Sequence, residues 1–466
     1  MISSSEPLQG SFRDPDGHVY IHKNRVFRGL RGKSAAFLER FVETNFFKDR
    51  KNISIVNSWK IDQAKLCEIG FSEETVGKYQ LWLEHEKLNF VSYPFEWSFE
   101  LLRRAAIFHL DLNIEALGSG YQIKDASAYN IQFDGNTPIF IDLPSFELYE
   151  EGSPWMAYKQ FCEMFLAPLA IQSYNGVSIQ PWLQGSIDGI DIVECSSVLP
   201  LKSYFNFGLL ANIHFQARAA KNISSITKKR SRKEVVIKKE NLKLLLQSLR
   251  NCIMKLKNKS TGYWQDYEKD NSYNNELISE KEKIVAEFCS KLKGKNLLDI
   301  GCNAGQFSLI ALEAGVGKVY GIDIDGGALD HAIAKNGLKG NNFFPIKYDF
   351  TNPSPNLGWN LVERQSLPER LPKCDGLVCL AVIHHLVIAR NIPIKFFVQM
   401  LYSFSSIGIV EFVSKEDPMV EGLLSNRDYI FPDYNLQSFI EQMKVYFTVE
   451  ILESTNKTRS YIKFMA

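Results

Sequence analysis

The residues best placed to do chemistry lie in the stretch NLLDIGCNAGQFSLIALEAGVGKVYGIDID, positions 296–325. It sets Asp299, Gly301 and Gly305 in a D-x-G-x-x-x-G pattern and ends its second apolar run at Asp323. Glycines at 301 and 305 let the main chain bend and pass close to a ligand. A dinucleotide site needs G-x-G-x-x-G, so that backbone N–H groups reach a pyrophosphate; the spacing here fails that test. Asp299 stands at the strand end, where a dianionic pyrophosphate would lie, and a carboxylate there opposes an anion and suits a cation. Asp323, closing the next strand, is placed to accept hydrogen bonds from both hydroxyls of a ribose. Asp349, after a third apolar run, could accept from an adenine amino group, with Phe350 beside it. The motif alone could also be a sharp structural turn, but the second acid and the repeated strand–helix context argue for a ligand.

Two other groups carry possible chemistry. In AVIHHL, His384 or His385 could remove a proton from a nucleophile, because unperturbed histidine titrates near working pH. The alternative is a histidine that caps the following helix or is hydrogen-bonded in a wall. Glu411 and Asp417 are weaker candidates for the same task. In the first half, IKDASAYNIQFDGNTPIFID spaces Asp125 and Asn130 as D-x-x-x-x-N and follows them with a hairpin and Asp142. This order is similar to the catalytic loop of protein-kinase-like phosphotransferases, with a base, a metal-binding amide and a metal-binding acid. The same residues could serve ordinary turns.

The elements that must position these residues follow from apolar periodicity. NLLDIG, KVYGIDI, NFFPIKYDF, CDGLVCLAV and SIGIVEFV read as strands separated by helices or loops, and FTVEILES and RSYIKFMA close the chain as a hairpin. Alternation of strand and helix predicts parallel crossovers in a doubly wound α/β sheet with ligand at the carboxyl ends of the strands. Residues 1–217 read as an α+β domain, with β-like runs in HVYIHKNRVFRGL and KNISIVNSWKI, helices at 80–85 and 97–117, and a hairpin in IQFDGNTPIFID. PWMAYKQFCEMFLAPLAIQ reads as a buried helix. Residues 218–262 read as a basic linker and connecting helix, and 263–466 as the second domain. Positions 218–259 carry fourteen Lys and Arg against two Glu. Val235, Val236, Leu242, Leu245, Leu246, Leu249, Ile253 and Leu256 fall roughly on one helical face. Such a helix packs on a neighbouring domain, or binds RNA or an anionic surface.

With 466 residues and a net charge of +1, two domains are expected and nothing global demands a nucleic acid or a membrane. Eight scattered cysteines without a C-x-x-C pair point to reduced thiols rather than a zinc ribbon or a disulfide framework. The start, MISSSEPLQGSFRDPDGHVY, lacks the pattern of a signal peptide. No apolar run nears the roughly 18 residues that span a bilayer. A cytoplasmic protein is expected.

The residues from Asp299 to Asp325, with CDGLVCLAVIHHL and the closing hairpin, resemble a class I (seven-strand) S-adenosylmethionine-dependent methyltransferase. GSFRDPDGHVY, SYPFEWSFELLRRAA and VEFVSKEDPM extend the likeness to a group of bacterial two-part methyltransferases that includes relatives of a rhizobial nodulation protein. The resemblance implies that Asp299, Gly301, Asn303, Gly305, Asp323, Asp349 and Phe350 hold S-adenosyl-L-methionine. Asn303 departs from the glycine that many members carry. Trp264, Tyr267 and Tyr273 could lid the cofactor or simply pack a linker helix. No Asn-Pro-Pro-Tyr motif marks an amino-base methylase, and Cys374 and Cys379 lack the context of a cysteine nucleophile.

The first half resembles a small kinase-like domain, with Asp125 as base and Asn130 and Asp142 as metal ligands if it is active. Ile123 replaces that family's histidine, Leu-Pro follows Asp142 instead of Phe-Gly, and GLRGKS fails as a P-loop because Phe27 stands where a glycine is needed. The expectation is a methyltransferase acting on an O or N atom of a small-molecule or saccharide acceptor. The alternatives are a bifunctional kinase–methyltransferase and a non-catalytic module that binds the cofactor or RNA.

Overall fold

The computed structural model describes residues 6–49, 54–224, 236–259, 275–336, 341–425 and 431–466. The chain divides into two compact units. The first comprises Met1–Phe95, Phe99–Ser260 and Ser354–Arg370, and the second Glu96–Ser98, Thr261–Pro353 and Leu371–Ala466.

The first unit opens with strands β1 (Gly17–His22), β2 (Arg25–Leu30), β3 (Ser58–Lys60) and β4 (Leu81–His85), which form an antiparallel sheet in the order β1-β2-β4-β3. Lys23 and Asn24, both at positive φ, make the tight turn between β1 and β2. The helix expected at 80–85 is a strand. All five residues of β4 are buried between β2 and β3, so the run lacks the alternation of a half-exposed strand.

The long helix Phe99–Gly118 buries Leu102, Ala105, Ala106, His109 and Leu110. It leads into β5 (Tyr121–Ile123), the expected hairpin of β6 (Ile131–Asp134) and β7 (Thr137–Phe140), and β8 (Phe146–Leu148). The aromatic segment after β8 is buried helix, interrupted by a π-turn at Cys162–Leu166.

The helix expected as a connector, Lys239–Lys255, belongs to the first unit and buries Leu242, Leu246, Leu249 and Ile253. Val236 lies outside it and is exposed, and Val235 is outside the described residues. Residues 354–370 also belong to this unit, although they sit between strands of the second in sequence. Glu363 receives both Nε and Nη2 of Arg13. Arg370 lies over Tyr93 and donates to the carbonyl of Val91, and Arg364 lies over Tyr129.

The second unit is built on a seven-stranded sheet of β9 (Asn296–Ile300), β10 (Lys318–Asp323), β11 (Phe343–Lys347), β12 (Gly376–Cys379), β13 (Ile407–Val413), β14 (Thr448–Leu452) and β15 (Arg459–Met465). The order is β11-β10-β9-β12-β13-β15-β14, with the first five parallel and the closing hairpin antiparallel. The expected α/β class is observed, with the order reversing between β9 and β12 at the centre. Val285, Phe288 and Leu292 of the helix Asn275–Ser290 and its end pack with Leu297, Val319, Val378 and Ile409 in the core. All eight cysteines are free thiols. Among the described residues, no helix is long and apolar enough to cross a membrane.

Membership of the helix Lys239–Lys255 in the first core is open to test. Leu246→Ala should destabilise that unit by about 2–5 kcal/mol, while Val236→Ala should stay within about 0.5 kcal/mol. Denaturant unfolding with equal effects at both positions would contradict the placement.

Candidate active site

The loop after β9 is shaped by three left-handed residues. Gly301 has φ +74°, Asn303 +48° and Gly305 +75°. A Cβ on Gly301 would lie 2.4 Å from Cγ2 of Val382, so the turn from β9 and the turn from β12 approach as closely as glycine allows. Asparagine tolerates the left-handed region better than most residues, which is how Asn303 occupies a position that glycine can fill. Gly301 and Cys302 both donate N–H to the carbonyl of Ile322. Gly305 then caps the helix Gln306–Glu313.

Two carboxylates anchor this loop. Asp323, at the end of β10, accepts from the N–H of Asn303 and of Asp325, both at 2.8 Å. Asp299, buried on β9, accepts from Ser308 Oγ at 2.5 Å. Burial pushes each of them up to about 6. For Asp299 the Ser308 hydrogen bond opposes this and the charge of Asp323 adds to it; for Asp323 the backbone N–H bonds oppose it. A pair of carboxylates held this far from its ordinary ionisation favours a cation beside it.

Asp325 caps the helix Gly326–Asn336 through the N–H groups of Gly327 and Ala328. Asp349 follows β11, and its Oδ1 accepts from the N–H and the hydroxyl of Thr351 at 2.8 and 2.6 Å. Phe350 stands edge-on to Tyr348 and Phe404. Asp299, Gly301, Asn303, Gly305 and Asp323 are thus joined through neighbouring strands and one loop, and Asp349 and Phe350 follow the next strand out. Trp264, Tyr267 and Tyr273 lie outside the described residues, as do Lys228–Lys233.

His384 and His385 begin the helical turn after β12, their rings 4.0 Å apart between centroids. His384 is fully buried, neither of its ring nitrogens has a hydrogen-bond partner among the described residues, and its side chain does not cap the helical turn. The expected titration near neutral pH is not found. Burial, with the neighbouring His385, Arg459 and Lys281, holds His384 well below the ordinary histidine value. Burial and Arg459 push His385 down to about 4. Both rings are neutral at physiological pH.

Glu411 and Asp417 are committed elsewhere. Glu411 accepts from Lys281 Nζ at 2.6 Å and Arg459 Nη1 at 3.2 Å, and Asp417 accepts from Arg459 Nε at 2.8 Å. Sequence reading did not single out Lys281 or Arg459. Each sits among other basic residues, Lys283 near Lys281 and Lys457 near Arg459, and their common partner Glu411 lies far from both along the chain.

In the first unit, Asp142 accepts from Arg28 Nη1 at 2.8 Å and from Ser145 Oγ at 2.5 Å, and Asn130 donates to the same hydroxyl at 3.2 Å. Asn130 and Asp142 therefore meet through Ser145. Asp125 accepts from the N–H of Ser127 in a local turn. Asn113 of the long helix fixes the approach to that loop by accepting the N–H of Ile123. Among the described residues no group of three or more His, Cys, Asp or Glu is placed to hold a metal ion.

Residues 278–389 match the family model of the FtsJ-like methyltransferases. The nodulation protein NoeA of Rhizobium meliloti is 35% identical over 446 residues, 93% of this chain and 90% of its own. The structure of the bifunctional kinase-methyltransferase WbdD is 20% identical over 44% of this chain and 41% of its own, with a TM-score of 0.30. That of the N-methyltransferase NodS from Bradyrhizobium japonicum is 13% identical over 41% of this chain and 97% of its own, with a TM-score of 0.31.

The close approach at Gly301 predicts a paired effect. Gly301→Ala should cost about 1–2 kcal/mol for the left-handed backbone, plus the overlap with Val382. Val382→Ala in the same chain should recover only the overlap. Strictly additive destabilisation in the double variant, measured by thermal unfolding, would show that the approach of the two turns is not what requires glycine.

Proposed function

The chain belongs to the family of the Rhizobium meliloti nodulation protein NoeA and is an S-adenosylmethionine-dependent methyltransferase; from that premise we propose that it methylates an oxygen or nitrogen atom of a small-molecule or saccharide acceptor. The observation that carries the site assignment is the pair of carboxylates, Asp299 and Asp323, on adjacent strand ends around a glycine turn, both pushed up to about 6.

These residues fit a cofactor with a cationic head and a ribose. A carboxylate offers about four lone-pair positions, and the N–H groups of Asn303 and Asp325 take two on Asp323. The remainder suit the two ribose hydroxyls. Asp299 would supply negative potential beneath the bend at Gly301, and Gly301 itself would keep that approach open. Thr351 occupies Oδ1 of Asp349, which orients Oδ2 for an adenine amino group beside Phe350. S-adenosylmethionine supplies an electrophilic methyl group when bound.

The acceptor must be aligned and must lose a proton where it is a hydroxyl or a protonated amine. A buried polar atom without a partner calls for an explanation, and His384 has two. A neutral imidazole can take the acceptor's proton at a ring nitrogen without first losing one of its own, and His385 lies against it. In the first unit, Arg28 and Ser145 already engage Asp142, the acid that would hold a metal in a phosphotransferase. We therefore read that unit as a kinase-like fold that holds the acceptor. The free thiols support a reducing, cytoplasmic setting.

Calorimetric titration with S-adenosylmethionine tests the reading. Micromolar binding is expected, weakened roughly 10- to 100-fold in Asp323→Ala, the loss of hydrogen bonds to a charged acceptor. Both acids have raised pKa values and a cationic ligand favours their ionised form, so affinity should fall as pH drops through about 6. Folded protein that shows no cofactor binding would refute the assignment. ATP with magnesium should give no turnover, and turnover abolished in Asp125→Ala would make the protein bifunctional.

A further inference from the structure

The first unit carries a face that the methyl-transfer reading does not use. On the short helix Leu201–Phe205 and just beyond it, Leu201, Phe205 and Phe207 are 83%, 86% and 86% exposed. Two phenylalanines this bare, one residue apart, are unusual on a water-facing surface, where contiguous apolar patches mark interaction sites. They border a cleft of about 680 Å³ whose other side is the helix Lys239–Lys255, through Leu244, Gln247, Ser248, Asn251 and Lys255. Leu244, also on the rim, is 62% exposed.

The polar part of the same face is basic. Lys202 and Lys259 place their ammonium groups 6.0 and 5.8 Å from the Tyr174 ring centroid. They stand close enough for Lys202 to lower the pKa of Lys259. Among the described residues, no carboxylate pairs with Lys202, Lys255 or Lys259. Two neighbouring ammonium groups with no counter-charge among the described residues suit an anion, and the bare aromatics beside them suit hydrocarbon. The described residues 236–259, which include the helix side of the cleft, carry seven basic residues against one acidic one.

We propose that this face docks the protein on an anionic lipid bilayer, with Leu201, Phe205 and Phe207 entering the interface and Lys202, Lys255 and Lys259 meeting lipid phosphates. Apolar side chains that leave water at the headgroup boundary, beside lysines held at the surface, are the two parts of reversible peripheral binding. The charge complementarity selects this occupant over a second copy of the chain, whose same face would bring like charges together. The inference is independent of the acceptor and of the cofactor site.

Co-sedimentation of the full chain with sucrose-loaded vesicles tests it, using phosphatidylcholine alone and phosphatidylcholine mixed with phosphatidylglycerol. Binding is expected only to the mixed vesicles. The double variant Phe205→Ser/Phe207→Ser should lose at least about tenfold in partitioning. Lys202→Glu/Lys259→Glu should lose at least roughly fivefold per lysine. Lys33→Glu/Lys65→Glu changes net charge equally at exposed residues of the same unit that do not line the cleft, and should bind nearly as the parent does. All six side chains are exposed, so circular dichroism and cofactor titration should be unchanged. Failure of the parent to bind anionic vesicles would overturn the proposal. So would patch variants that bind as well as the control, because the basic chain at 228–233 would then suffice. A parent dimer that the phenylalanine variants dissociate, without vesicle binding, would assign the face to a second copy and would equally overturn it.

Discussion

The carboxylate of Glu411, on β13, has no exposure to solvent and is held between the ammonium of Lys281 and the guanidinium of Arg459. Moving an ion out of water costs several kcal/mol even after the protein relaxes, so a buried charge persists only where partners meet it with good geometry. Arg459 also reaches Asp417, which gives two acids and two bases among the described residues of the cluster. Its members come from the helix before the sheet, from β13, from the cap of the helix Pro418–Leu424 and from β15. The lead-in helix and the closing hairpin are therefore fixed to the sheet by charges that have no acceptable alternative arrangement.

That cluster also sets the chemistry available beside it. Lys281 and Arg459 both lower the pKa of His384, and Arg459 lowers that of His385. Lys281 acts in the opposite sense on Asp299, whose ionisation it favours against the cost of burial. These cations thus add to burial in disfavouring the charged imidazoles, and Lys281 offsets part of the desolvation of Asp299.

Much of the second unit was legible because its signals are local. The apolar runs of β9 to β13 are short and bounded, and Asp299, Gly301, Gly305 and Asp323 all fall within one crossover. The Lys281–Glu411–Arg459 cluster was not legible, since its members share no spacing and meet only through the sheet order. β4 misled for a physical reason. Buried on both faces, QLWLEH has no period of two, and its Leu, Glu and Gln favour helices. The sequence places the histidine pair after β12, but the titration expected of it depended on a burial that no residue type announces.

Residues 354–370 are the other part that sequence could not place. They follow Asp349 and Phe350 and precede β12 and the histidines, yet their side chains pack in the first unit. Fixing a segment of this length costs roughly 1–2 kcal/mol of backbone entropy per residue, which a loop of ordinary polar contacts does not offset. What holds it is a buried carboxylate, Glu363, forked onto Arg13, with Arg364 and Arg370 laid on Tyr129 and Tyr93. Tyr129 belongs to the turn Ala128–Asn130 that carries Asn130. This stretch, which lies between β11 and β12 in sequence, is thus tied at its middle to the turn of the first unit that carries Asn130.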